Sequence, residues 1–199
     1  MSNSILDLLG SQLGGANLQQ ISQILGTAPD ATNKAISGAL PMLLSGLAKN
    51  AAQPEGASAL HKALDSHDGG LLDSAMDLFQ GLSGANGDGI LGHVLGDRRE
   101  TAERGLSKMS GLDTASIGRL LALLAPLVMS ALSKQRNSGG LGVDGLQDLL
   151  NREHRQVEER DPGLMGTLGK LLDRDNDGSF MDEAMQMGGS LLGGLFGKR

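Results

Sequence analysis

The sequence predicts an all-α protein: a multihelical bundle built from two related helical repeats, then a C-terminal tail carrying a D-x-D-x-D-G loop. Three observations lead there. Val, Ile and Thr together number 15 and aromatics make up 2% of the 199 residues, so the side chains that strands favour are scarce. Leu, Ala and Met recur instead at helical spacing, and nine Met can fill a core that has almost no rings. Finally, one 30-residue pattern occurs twice.

That pattern is ISQILGTAPDATNKAISGALPMLLSGLAKN (21–50) and LSKMSGLDTASIGRLLALLAPLVMSALSKQ (106–135), which align without gaps. Ser22 meets Ser107, Gly26 meets Gly111, Pro41 meets Pro126, and Ser45 meets Ser130. Leu47 and Lys49 meet Leu132 and Lys134, while Ile24 stands opposite Met109. The identities fall on punctuating residues, the signature of a duplicated unit. In each copy a short helix ends at the glycine, which supplies a left-handed C-terminal cap. A new helix start follows, capped by Asp30 or Thr32 in the first copy and by Asp113 or Thr114 in the second. A long apolar helix then spans about 31–50 or 115–135. Its internal proline predicts either a kink or a junction of two helices. The stretch 120–132 is apolar almost all round, as in a helix buried on several sides.

The flanks follow in order. Residues 1–18 carry Ile5, Leu6, Leu8, Leu9, Leu13 and Leu18, a helix interrupted at Gly14 and Gly15. Stretches 57–64 and 71–82 have helical spacing, GANGDG (84–89) has the composition of a loop, and 90–96 starts a helical turn. Residues 97–109 begin charged and become amphipathic. RNSGGLG (136–142) has the composition of a linker, and 143–161 begins apolar and ends highly charged. The expected division is a duplicated helical domain at 1–137, a polar linker or charged helix at 138–163, and a tail at 164–199.

Taken together, the stretches 10–50, 67–73 (HDGGLLD), 86–96 (NGDGILGHVLG) and 110–135 resemble a bacterial family of unknown function, family 937, to which the YidB-like proteins are related. The resemblance covers roughly residues 1–137, and LLDRDNDGSFMDE (171–183) looks like the tail found in such proteins. It implies a compact multihelical domain and transfers no catalytic residue.

The tail holds the one metal-like motif. Asp173, Asp175 and Asp177 occupy positions 1, 3 and 5 of an EF-hand-type loop, Gly178 stands at the sharp turn, and the Ser179 carbonyl falls at position 7. Position 12 is Ala184, so the closing carboxylate would have to be Asp182 or Glu183. Calcium is therefore the candidate cofactor. The competing reading is an acidic cap on a helix starting near Phe180, favourable through the helix dipole alone. A degenerate copy, 67–76, keeps the Asp-Gly and the later Asp but places Leu64 and Ser66 where Asp173 and Asp175 stand.

Composition excludes several functions. The net charge of −6 argues against a nucleic-acid surface, and the lack of Trp and Tyr argues against base stacking. There is no Cys, hence no disulfide, thiolate metal site or Cys nucleophile. His61, His67, His93 and His154 form no H-x3-H or HExxH pattern; His154 sits in a charged run and is expected to be solvated, and His67 and His93 to be hydrogen-bonding turn residues. No G-x-S-x-G elbow or phosphate loop is present. Residues 1–15 lack a basic n-region and Asp7 interrupts their apolar run, so a cytoplasmic location is expected. The expectation is thus a non-enzymatic helical interaction or scaffold protein with a calcium loop. Its partner is an unidentified protein or a second copy, with no nucleic acid. Two alternatives stand beside it. One is a carrier or enzyme with a pocket between the repeats. The other is self-assembly through the Gly-rich tail (Gly189, Gly193, Gly197), with membrane contact ranked last.

Overall fold

A computed structural model describes residues 4–65, 85–163 and 166. Among them the chain is helical, with eight α-helices and no strand. These are α1 (Ile5–Leu13), α2 (Gly15–Leu25), α3 (Pro29–Ala51), α4 (Pro54–Asp65), α5 (Ala85–Val94), α6 (Arg99–Ser110), α7 (Thr114–Gly139) and α8 (Val143–Arg160), with a 3-10 turn at Gly96–Arg98.

Glycine sets the helix ends where the pattern predicts. Gly26 closes α2 at φ +67 and Gly111 closes α6 at φ +81, both left-handed. The two helix starts differ. Asp113 caps α7 by accepting from the Ser116 amide at 2.9 Å. In contrast, α3 begins on Pro29 after Ala28 and has no side-chain cap. Asp30 therefore lies in its first turn rather than at the cap. Thr32 is turned inward, sharing a hydrogen bond with Thr27 (2.7 Å) and donating to the Ala28 carbonyl. A proline at the first helical position needs no hydrogen-bond partner, which removes part of the demand for a cap. Neither internal proline divides its helix: α3 runs through Pro41 and α7 through Pro126.

These two long helices form the centre. α3 packs on α2, α4, α5, α6, α7 and α8, and α7 packs on α1, α2, α4, α5 and α6 as well. Their buried residues belong to one core with side chains from every other helix, Leu91 of α5, Leu106 of α6 and Leu146 of α8 among them. By length and composition α7 is apolar enough to cross a membrane, with a mean hydropathy of 1.8 over its most apolar window, yet 78% of that window is buried inside the bundle. Ser130 shows the cost of that burial: it is fully buried and its hydroxyl has no partner among the described residues.

Two segments depart from the sequence reading. GANGDG is not a loop: residues 85–89 form the first turns of α5. The reason is packing. A Cβ at Gly87 would stand 2.0 Å from the Ala122 carbonyl oxygen, so the absence of a side chain lets α5 lie directly on α7. RNSGGLG is not a linker either. α7 continues through Gly139, and a left-handed Gly140 (φ +57) turns the chain straight into α8. Arg136 is buried there, donating to the His61 carbonyl (2.8 Å) and pairing with Asp65 (2.7 Å), which ties α7 to the last turn of α4.

The charged stretch 143–161 is helical, and its apolar side, Leu146, Leu149, Leu150 and Val157, enters the core against α3 and α4. Gln147 donates from its amide to the Ala51 carbonyl at the end of α3. Glu153, 5% exposed, reaches α1: its carboxylate accepts from the Ser4 hydroxyl (2.7 Å) and the Ile5 amide (3.1 Å). It thereby caps a helix almost 150 residues away in sequence.

Candidate functional site

A cleft of about 530 Å3 opens at the edge of the bundle, where the end of α2, the start of α5, the start of α6 and the first turns of α7 meet. Its apolar wall is Ile24, Leu25, Ala122 and Leu123, and its polar side holds Asp88, Arg99, Glu103 and Arg119. Ile24 is 43% exposed, one of two large apolar residues exposed to that degree among the described residues.

Most of the charge in the cleft is already satisfied. Arg99 donates through Nε to Glu103 (2.8 Å), one helical turn on, and through Nη2 to Asp88 of α5 (2.7 Å). The Glu103 hydrogen bond raises Arg99 above its ordinary value; burial opposes it, and the Asp88 hydrogen bond adds a smaller rise. Gly118 of α7 makes room for this network, since a Cβ there would lie 3.2 Å from Glu103 Oε1. Arg119 differs. It lines the cleft, is exposed, and makes no ion pair or hydrogen bond among the described residues. The i, i+4 spacing of Arg99 and Glu103 could have been read from the sequence. Arg119 carries a weaker signal, the cation Lys34 at the aligned position of the 21–50 stretch.

The residues expected to hold calcium, Asp173, Asp175, Asp177, Ser179, Asp182 and Glu183, lie outside the described residues, as do His67 and the stretch 71–82. Among the described residues no three His, Asp or Glu side chains stand close enough to hold a metal ion.

His154 is not a solvated surface residue. It is half-buried between α8 and α3, with Nδ1 3.1 Å from the hydroxyl of Ser45. Ser45 is itself buried, so the contact is a tie between two helices rather than an open nucleophile and base. Burial pushes the His154 ring below its ordinary value of 6.5, with Glu158 acting in the opposite sense. A histidine whose folded value is lowered resists protonation in the folded state, so its unfolded form takes up protons first. Stability is then full above about pH 6.5 and declines as the pH falls from there through the lowered folded value. We expect the urea midpoint to drop between pH 7.5 and 5.5, and His154→Gln to flatten that drop. A wild-type midpoint independent of pH over that interval would show that the ring is not desolvated.

His93 does hydrogen-bond as expected, donating from Nδ1 to the Gly89 carbonyl (2.8 Å), but from the last turn of α5 rather than from a turn. Asn50, at the end of α3, donates to the His93 carbonyl (2.6 Å) and the Val94 carbonyl (3.3 Å), capping α5 from outside. Gly46 completes this contact: a Cβ there would meet Val94 Cγ1 at 2.9 Å.

Residues 7–135 match the model of a protein family described as bacterial protein of unknown function (DUF937). No curated protein and no solved structure matches the chain. The matched span runs from early α1 to the last two turns of α7 and leaves α8 outside.

Proposed function

The chain belongs to the DUF937 family of bacterial proteins, and from that premise we propose that it works by binding, as a helical interaction scaffold, and not by catalysis. One observation carries this reading. The residues that make its sequence distinctive have packing and capping tasks: Gly46 and Gly87 bring helices together, Asn50 caps α5, and Gly26 and Gly111 turn the chain. In the cleft, Asp88, Arg99 and Glu103 are already committed to one another. The carrier or enzyme alternative needs a cavity between the two copies. Its support is limited to the peripheral cleft, because α3 and α7 share a filled apolar core.

The second part of the proposal is a calcium-responsive tail. Asp173, Asp175, Asp177 and the Ser179 carbonyl supply oxygen ligands at alternating positions, Gly178 allows the turn, and Asp182 or Glu183 closes the shell. Calorimetric titration of the full chain with calcium tests it. Saturable heat that disappears in Asp175→Ala is the expected result; no heat in the wild type reduces the loop to a helix cap.

A further inference from the structure

Two large apolar side chains are exposed among the described residues, Ile24 and Met109, and they stand at matched places in the two copies. Of the pair, Met109 alone carries sulfur. Among the described methionines, Met42 and Met129 are sealed in the core at 0% and 3% exposure, whereas Met109 is 39% exposed. The sequence has nine Met and no Cys, so two-electron oxidation falls on thioethers rather than thiols.

Although exposed, Met109 closes a helix junction. It lies near the end of α6 with its tip over Gly38 of α3. A Cβ at Gly38 would collide with the Met109 methyl carbon, and would stand 2.8 Å from Leu106 Cδ2 and 3.5 Å from Met109 Sδ. Glycine thus leaves a slot in α3, filled by the thioether and by the fully buried Leu106. The hydroxyls nearby in the chain are committed elsewhere. Ser107 donates to the Leu112 carbonyl (2.6 Å) and Ser110 to the Leu106 carbonyl (2.7 Å). An oxygen added to the Met109 sulfur would find its hydrogen-bond donors in water and not in the slot.

We propose that Met109 is a redox modification site, oxidised by peroxides, and that its sulfoxide releases the end of α6 from α3. A sulfur lone pair attacks one peroxide oxygen. The S–O bond forms, the O–O bond breaks, and the second oxygen leaves as water with both peroxide protons. Sulfur loses two electrons and the peroxide gains them. The product is a polar side chain where the junction needs an apolar one. It turns to solvent and leaves the slot at Gly38 open beside Leu106. A methionine sulfoxide reductase supplied with a dithiol reverses the step, taking the oxygen away as water. The matched place in the first copy has no such response, because Ile24 stands there. The device needs neither calcium nor a partner, so its failure leaves the scaffold and calcium readings untouched.

The test treats the full-length protein with hydrogen peroxide and follows each methionine by peptide mass spectrometry. Met109 is expected to oxidise about tenfold faster than Met42 and Met129, since access governs the rate. In the oxidised protein the α6 amides should exchange about tenfold faster, as a polar group without partners opens an apolar junction. Treatment with sulfoxide reductase and dithiothreitol should restore the slow exchange. Met109→Leu keeps an apolar side chain over Gly38 and removes the target. The same peroxide should then leave α6 exchange unchanged, and any other methionine oxidised in both proteins cancels from the comparison. Met109→Gln, polar and of similar length, should show the faster exchange with no oxidant. Circular dichroism of each variant confirms that the bundle is intact, and position 109 is exposed. Three results would overturn the proposal: Met109 oxidising no faster than Met42 and Met129, an oxidised Met109 with unchanged α6 exchange, or an equal acceleration in Met109→Leu.

Discussion

Glu153→Ala is expected to destabilise the protein by about 3 kcal/mol, since hydrogen bonds to a buried charged acceptor are worth about 1.5–3 kcal/mol and their loss leaves donors unpaired. The Glu153 carboxylate receives both the Ser4 hydroxyl and the Ile5 amide, and it is almost wholly enclosed. Removing it leaves the Ser4 hydroxyl and the Ile5 amide without this acceptor beside the buried Ile5 and Leu9, and the first turn of α1 keeps only the Ser4 hydroxyl, which accepts from the Leu6 amide at 3.2 Å. The neighbouring Asp7–Arg160 pair does not substitute. It is exposed, and although Arg160 holds the Asp7 carboxyl below its usual range, an ion pair in contact with water contributes little. Urea unfolding gives the overall change, and amide exchange should show the α1 amides losing protection first. Glu153→Gln, which keeps one acceptor oxygen, should recover part of the loss. A Glu153→Ala protein with unchanged protection in α1 would mean that the cap is not holding that helix. The result bears on organisation as well: α8 lies beyond the span matched by the family, yet through Glu153 it secures the first helix of that span.

Gly87→Ala should cost about 2 kcal/mol net, with a sign opposite to the one helix propensity gives. In an exposed helix, Gly to Ala is worth about 1 kcal/mol of added stability. At position 87 the new methyl would fall 2.0 Å from the Ala122 carbonyl oxygen and 2.8 Å from its carbon, both backbone atoms of α7 that have no rotamer to change. The helices must separate, and overpacking of this kind typically costs about 1–3 kcal/mol. The loss spreads to Leu91, Val94 and Leu95, which are buried beyond the contact. Gly89→Ala is the matched control, because nothing lies within 4 Å of its Cβ position, and it should stabilise slightly. Thermal unfolding of both variants decides the matter. A Gly87→Ala protein more stable than the wild type would show that α5 does not lie on α7 at this distance.

The fate of individual residues shows where sequence reasoning ends. The neighbours of His154 along the chain are polar or charged and point to a solvated ring, but its surroundings are set by α3, which packs against α8. The composition of GANGDG favours a turn, which is a statement about an isolated backbone. Its helical form comes from contact with α7, and a stretch of glycine that weakens a lone helix is the same stretch that permits close packing. Arg119 and Ile24 are both visible in the repeat alignment, but nothing in the chain order says that the end of α2 meets the start of α7.

By itself the sequence determined the class of fold, the two long apolar helices, the left-handed glycines at 26 and 111, a capped start at 113 or 114 and the family. All of these rest on local rules: periodicity, backbone freedom and side-chain reach within three or four residues. The tertiary structure alone decided that Pro41 and Pro126 sit inside unbroken helices, that α8 clasps α1 through Glu153, that Met109 lies over Gly38, and that Ile24 and Arg119 line one cleft. These outcomes depend on which side chains from distant parts of the chain compete for the same volume. Shape and unpaired charge at such a meeting belong to no single stretch of sequence.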